Sequence, residues 1–106
     1  MDLFKLFSKP SFDEGVQEFR RTSGARLIDV RSAAEYAEDR LSESENVPLD
    51  QIGGIVTRVT DKGTPLFVYC YSGARSAQAV SLLRRMGYTN VRNIGGIKDC
   101  HGGIVR

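Results

Sequence analysis

Cysteine, arginine and hydroxyl side chains come together in one short stretch of this 106-residue chain, Cys70-Tyr-Ser-Gly-Ala-Arg75-Ser76. A thiol is a strong nucleophile only as its thiolate, and a thiolate needs electropositive surroundings. Residues 66–70 are an apolar run that reads as a buried strand, and the residues from about 74 onward read as a helix. Between a strand end and a helix start, the backbone N–H groups of residues 71–76 can converge on one point as an anion-binding nest. The helix dipole adds about half a positive charge there. Arg75 adds a permanent cation with a planar fork of donors. Gly73 lets the backbone curl without a Cβ clash, Ser72 and Ser76 offer hydroxyls, and Ser76 is also a candidate helix cap. The expectation is a Cys70 pKa below the free-thiol value of about 8.5. Tyr71, Ser72, Gly73, Ala74, Arg75 and Ser76 would then form the cradle for an anionic substrate. The plain alternative for Cys70 is a small buried hydrophobe closing a core strand.

Composition narrows the chemistry further. His101 is the only histidine, so any relay that needs a histidine base rests on it alone. Two cysteines, Cys70 and Cys100, are too few for a disulfide framework or a Cys-rich zinc site. With 41% hydrophobic and 26% charged residues, the chain is too apolar for disorder and long enough for one domain, spanning residues 1–106. Its apolar runs are far too short to cross a bilayer. Residues 1–10 lack the continuous apolar stretch of an export signal, so a cytoplasmic protein is expected. Residues 1–50 hold 7 basic and 11 acidic side chains, and residues 51–106 hold 8 basic and 2 acidic. A basic second half suits a small anion or an acidic partner. The basic residues are not clustered as a nucleic-acid groove would require. No cofactor, metal, nucleic acid or membrane is expected, and the chain is expected to be a monomer or weak dimer.

The elements that must position Cys70 follow from periodicity. Residues 3–7 are a candidate strand. Ser11-Phe-Asp-Glu14 is a capping box, with Phe12, Val16 and Phe19 at helical spacing behind it and Ser23-Gly24 as the stop. Residues 25–30 read as a strand buried on both faces. Ser32 caps a short helix through Glu35 and Tyr36, residues 38–45 form a charged loop, and residues 50–60 read as helix despite Gly53-Gly54. Asp61-Lys-Gly-Thr-Pro65 is a turn. The helix from about 74 to 86 would face inward with Ala77, Val80, Leu83 and Met86, and Gly87 stops it. Residues 91–94 are a further strand, with Gly95-Gly96 as a turn. Strands alternating with helices imply an α/β domain whose central parallel sheet, of about five strands, has helices on both faces.

Four stretches make the sequence resemble a single-domain rhodanese, a module of the thiosulfate sulfurtransferase type. They are Leu27-Ile-Asp-Val-Arg31 with Glu35-Tyr36, Asn46-Val-Pro-Leu49, the Cys70–Ser76 loop, and Met86-Gly-Tyr88 leading to Ile94-Gly-Gly96; the match is best over residues 25–96. The resemblance implies that Cys70 takes a sulfur atom from thiosulfate or a similar small anionic donor and holds it as a persulfide. A thiol, cyanide or a partner protein's cysteine would accept it in ping-pong fashion. No histidine base is needed. Related phosphatases and arsenate reductases carry one more residue between Cys and Arg, so the shorter loop favours sulfur transfer over phosphate chemistry. Domains of this type also serve as non-catalytic docking or regulatory modules, which is the principal alternative.

The chain departs from the family pattern in two places. Residues 39–45 carry Asp39, Arg40 and Glu43 where relatives have Gly, His and Gly, which predicts a rebuilt or mobile loop. Cys100 stands where many relatives have an aromatic residue; it is either a resolving thiol for Cys70 or a semi-exposed loop side chain. His101 is expected to be a surface residue. Asp29 is expected to accept backbone amides, and Arg31 to pair with Glu35 at i,i+4, with orientation of the substrate as the alternative role for either. Tyr71 has two open roles, shaping the acceptor site or covering the core edge.

Overall fold

Strand Leu66–Cys70 is buried at every position, which requires packing on both faces of its sheet. The computed structural model describes residues 10–106. In chain order they form α1 (Phe12–Arg21), β1 (Arg26–Asp29), α2 (Ala33–Glu38), β2 (Arg40–Leu41), β3 (Ser44–Asn46) and a 3-10 helix (Leu49–Thr57). Then come β4 (Leu66–Cys70), α3 (Ala74–Arg85), β5 (Val91–Gly96), a 3-10 turn (Ile97–Asp99) and β6 (Ile104–Val105). The central sheet has the order β3-β1-β4-β5, and every pairing in it is parallel. It therefore has four strands among the described residues; β2 and β6 pair antiparallel as a separate ribbon. The candidate strand at residues 3–7 lies outside the described residues.

The period of two along each strand divides the core. Ile28, Val30, Leu66, Val68 and Cys70 pack with Ile52 and Ile55 of the 3-10 helix and with Ala79, Val80 and Leu83 of α3. Leu27, Phe67, Tyr69 and Ile94 pack on the other face with Phe12 and Val16 of α1. Both helix starts read from the sequence carry complete capping boxes, Ser11 with Glu14 and Ser32 with Glu35. Gly87 takes φ +102° just past the end of α3.

Four local expectations are revised. Residues 49–57 wind as a 3-10 helix, because Gly53-Gly54 weakens the longer α-helix that residues 50–60 would need. On α3 the inward small residue is Ala79, and Ala77 is exposed, since Ser76 already fixes the buried stripe at i, i+3, i+4 and i+7. Gly95 and Gly96 continue β5 instead of turning, with a register shift opposite Val68 and Tyr69. In the loop that departs from the family pattern, Asp39 is extended at φ −158°, so the missing glycines cost no strain. Glu43 there accepts from Arg20 at 2.8 and 3.0 Å, and the Tyr36 hydroxyl donates to the Ser44 carbonyl at 2.5 Å.

α1 meets β5 through Gly15, where an added Cβ would lie 2.7 Å from Ile94 Cβ. Gly15→Ala is expected to cost about 1–3 kcal/mol through overpacking. A thermal melt followed by circular dichroism should show it as a drop of roughly 4–8 °C per kcal/mol.

Candidate active site

Cys70 is the last residue of β4, and the chain leaves it through a three-residue loop into α3. The loop can turn this tightly because Gly73, the N-cap of α3, adopts φ +101°. It can also lean against β5 because Gly96 has no side chain. A Cβ at Gly96 would lie 2.1 Å from the Tyr71 carbonyl oxygen and 2.5 Å from Ser72 Cα. The Lys98 N–H donates to that same carbonyl at 3.2 Å.

This folding aims donors at one atom. Cys70 Sγ receives the Gly73 N–H at 3.0 Å and the Ser76 N–H at 3.4 Å, and lies 3.4 Å from Ser76 Oγ. Burial pushes the Cys70 thiol up, since only 1% of the residue is exposed. The Ser76 hydroxyl and the N–H groups of Ser76, Gly73 and Ser72 outweigh burial and bring the thiol below its ordinary value. The sulfur is thus shielded, yet it faces the loop and not the core interior.

Arg75 is placed differently from a direct anion clamp. Its Nη1 and Nη2 donate to Glu35 Oε1 and Oε2 at 2.7 and 3.0 Å, a bidentate pair. The Arg75 guanidinium is the main reason the Glu35 carboxyl is lowered, to about 2, with burial opposing and Ser32 assisting. Arg31 does not pair with Glu35, because it precedes the Ser32 N-cap and so has no helical i+4 neighbour. It binds the buried Asp29 carboxylate at 2.8–3.1 Å and reaches Asp39 Oδ1 at 3.0 Å. Asp29 Oδ1 also accepts the Arg31 N–H at 2.8 Å, as expected for a residue fixing a strand end.

Tyr71, Ser72 and Ala74 lie exposed around the loop, with Tyr71 53% exposed. Ser76 is fully buried and does not cap α3; its hydroxyl donor positions are Gly73 O at 3.1 Å and Asn93 Oδ1 at 2.7 Å. Asn93 was not among the residues singled out from the sequence. The available signal was a short amide side chain between Val91 and Ile94, two residues before Gly95. A hollow of about 820 Å³ between α1 and β5 runs up to Ser72, Gly73, Asn93 and Gly95. Cys100 packs with the α1 side of the sheet, whereas Cys70 belongs to the α3 side. The two thiols are free and on opposite faces, which excludes a disulfide between them in this fold. The Cys100 thiol donates to Gly102 O at 2.9 Å, and exposed His101 contacts Asp13 at 2.5 Å. Among the described residues no cluster of side chains suits a metal ion, and no helix is long and apolar enough to cross a membrane.

The profile of the rhodanese-like domain family matches residues 12–101. The chain belongs to the rhodanese-like domain family. It is 42% identical over 73 residues to thiosulfate sulfurtransferase PspE of Escherichia coli, covering 68% of this chain and 70% of that protein. It is 37% identical over 104 residues to the uncharacterized protein YqhL of Bacillus subtilis, covering 96% and 76% respectively. A solved rhodanese with anions from E. coli superposes with a TM-score of 0.72 at 38% identity, over 77% of this chain and 98% of that one. A Staphylococcus saprophyticus protein, at 22% identity and TM-score 0.77 over 94% of this chain and all of that one, shares the fold of this rhodanese-like domain.

Two outcomes follow from the geometry. Gly96→Ala must displace the loop, so Cys70 should lose aligned donors and its alkylation rate near neutral pH should fall roughly tenfold per pKa unit regained. Glu35 has a lowered folded-state pKa, so its contribution to stability is complete above its ordinary value of 4.5 and is lost as pH falls through about 2. Glu35→Gln should therefore flatten the pH dependence of the melting temperature across that window.

Proposed function

We propose that this chain is a sulfurtransferase that moves sulfane sulfur through a persulfide on Cys70. The observation that carries this reading is the set of N–H donors directed at Cys70 Sγ, at 3.0 Å from Gly73 and 3.4 Å from Ser76. They stabilise a thiolate in the resting protein and an anionic persulfide after the first half-reaction. The related PspE is named a thiosulfate sulfurtransferase, which supports thiosulfate as a donor.

In the first step the Cys70 thiolate attacks the outer sulfur of thiosulfate. A new S–S bond forms, the S–S bond of the donor breaks, and its electron pair leaves with sulfite. In the second step a thiolate, a partner protein's cysteine or cyanide attacks the outer sulfur of the persulfide. The Cys70 thiolate returns as the leaving group, so no proton has to be supplied by a histidine. Since the nucleophile is 1% exposed, the donor must offer a slim terminal sulfur. The outer atoms of thiosulfate and of persulfides meet that requirement. Arg75 keeps three of its five N–H donors after the bidentate contact with Glu35, and these are its means of binding an anion. Ser72, Gly73 and Ser76 supply backbone donors, while Tyr71 and Ala74 form the rim that an acceptor meets.

The loop from Cys70 to Arg75 spans six residues, one fewer than phosphate-handling relatives carry, so aryl-phosphate hydrolysis is expected to be negligible. Treatment with thiosulfate followed by intact-mass measurement tests the reading. The expected result is a mass increase of one sulfur atom, localised to Cys70, absent in Cys70→Ser and retained in Cys100→Ser. An unmodified Cys70, or aryl-phosphate turnover that depends on it, would overturn the proposal.

A further inference from the structure

The side chain of Asn93 makes three hydrogen bonds, all to groups in or beside the Cys70 loop. Oδ1 accepts from Ser76 Oγ at 2.7 Å and from the Gly95 N–H at 2.9 Å, and Nδ2 donates to Gly73 O at 3.1 Å. The Gly95 N–H orients the amide, since it needs Oδ1 on its side, and this turns Nδ2 to the Gly73 carbonyl, which also accepts the Ala77 N–H. Both loop residues it holds are ones whose N–H groups reach Cys70 Sγ. Asn93 itself does not touch the sulfur.

We propose that Asn93 is a positioning residue for the Cys70 nucleophile: its amide clamps Gly73 and Ser76 to β5 and so aims their donors at Sγ. The Ser76 hydroxyl has one proton and three neighbours, Asn93 Oδ1, Gly73 O and Cys70 Sγ, the last at 3.4 Å. While Cys70 is a thiol, the proton goes to Asn93 over the shortest contact, and the Ser76 lone pairs accept the S–H. Once Cys70 ionises, the hydroxyl turns to the sulfur, and the Gly95 N–H keeps Asn93 Oδ1 hydrogen-bonded. Asn93 therefore holds the hydroxyl within a rotation of either partner. The charged groups around the loop are Arg75 from α3, its partner Glu35 from α2, and the Asp29–Arg31 pair at the end of β1. Asn93, from β5, is neutral and acts by geometry.

This inference rests on Cys70 being the nucleophile of the proposed function, but its test does not require sulfur transfer. In a Cys100→Ser background, thiolate ultraviolet absorbance titrates Cys70 directly. Asn93→Ala should move the midpoint upward by about one pH unit, the scale of one or two lost hydrogen bonds. The isosteric Asn93→Asp should move it upward further, since it lacks the Nδ2 donor and adds negative charge, and it serves if the alanine variant folds poorly. A purely structural role would lower the melting temperature of either variant and leave the midpoint unmoved, which would overturn the proposal. A wild-type midpoint with lost thiosulfate turnover would overturn it too, since Asn93 would then act on substrate. A shifted midpoint in a chain that never forms a persulfide would support this inference while defeating the proposed function.

Discussion

A sulfur atom buried at the end of a central strand carries a charge only if the protein supplies what water would have supplied. Removing a thiolate from water is costly, and what opposes that cost here is hydrogen bonding from Gly73 in the loop and from Ser76 in the first turn of α3. That requirement constrains much of the surrounding structure. Gly73 must be left-handed to turn its N–H back toward Cys70. Gly96 must lack a Cβ so that the loop can rest against β5. Ser76 must be buried, because its backbone and hydroxyl both contribute. The parallel sheet supplies the frame, placing a strand's carboxyl end and a helix's amino end within one tight turn.

The second organising feature is the sharing of carboxylates between local and long-range roles. Glu35 completes the capping box of α2 through Oε1 and, with Oε1 and Oε2 together, grips Arg75 forty residues away in sequence. Asp29 closes the end of β1 on the Arg31 N–H and also neutralises the Arg31 guanidinium, which extends on to Asp39. Asn46 ties both β1-end carbonyls, those of Asp29 and Arg31, from β3. The Asp-Val-Arg, Glu-Tyr and Asn-Val-Pro segments, separate in the chain, thus form one polar layer beside the Cys70 loop.

Much of this was legible in the sequence, and the reasons differ by element. The β4 strand, the capping boxes at Ser11 and Ser32, and the stop at Gly87 are local signals in which a few neighbouring residues decide the outcome. The position of Cys70 at a strand end before a helix follows from the same local pattern. The partner of Arg31 was misread because the i,i+4 rule holds only inside a helix, and Arg31 lies outside one. The residues facing inward on α3 shifted because Ser76, a polar residue, is buried for the sake of the sulfur. Asn93 stayed hidden for a comparable reason: its value depends on β5 lying beside the loop, a contact about twenty residues distant. The loop at residues 39–45 was read as altered from its differing residues; in the fold its acidic side chains find partners, Glu43 with Arg20 of α1 and Asp39 with Arg31 just beyond β1.

The register shift in β5 has a bearing on association. Among the described residues β5 is an outermost strand of the sheet, and a strand in that place presents main-chain groups to a neighbour. Here the ladder is interrupted between Asn93 and Gly95, and Arg92 projects a charge on the same segment. A strand laid alongside would have to follow the same irregularity to keep its hydrogen bonds aligned. Along the described part of this edge, the shifted register thereby discourages a second sheet from extending the ladder.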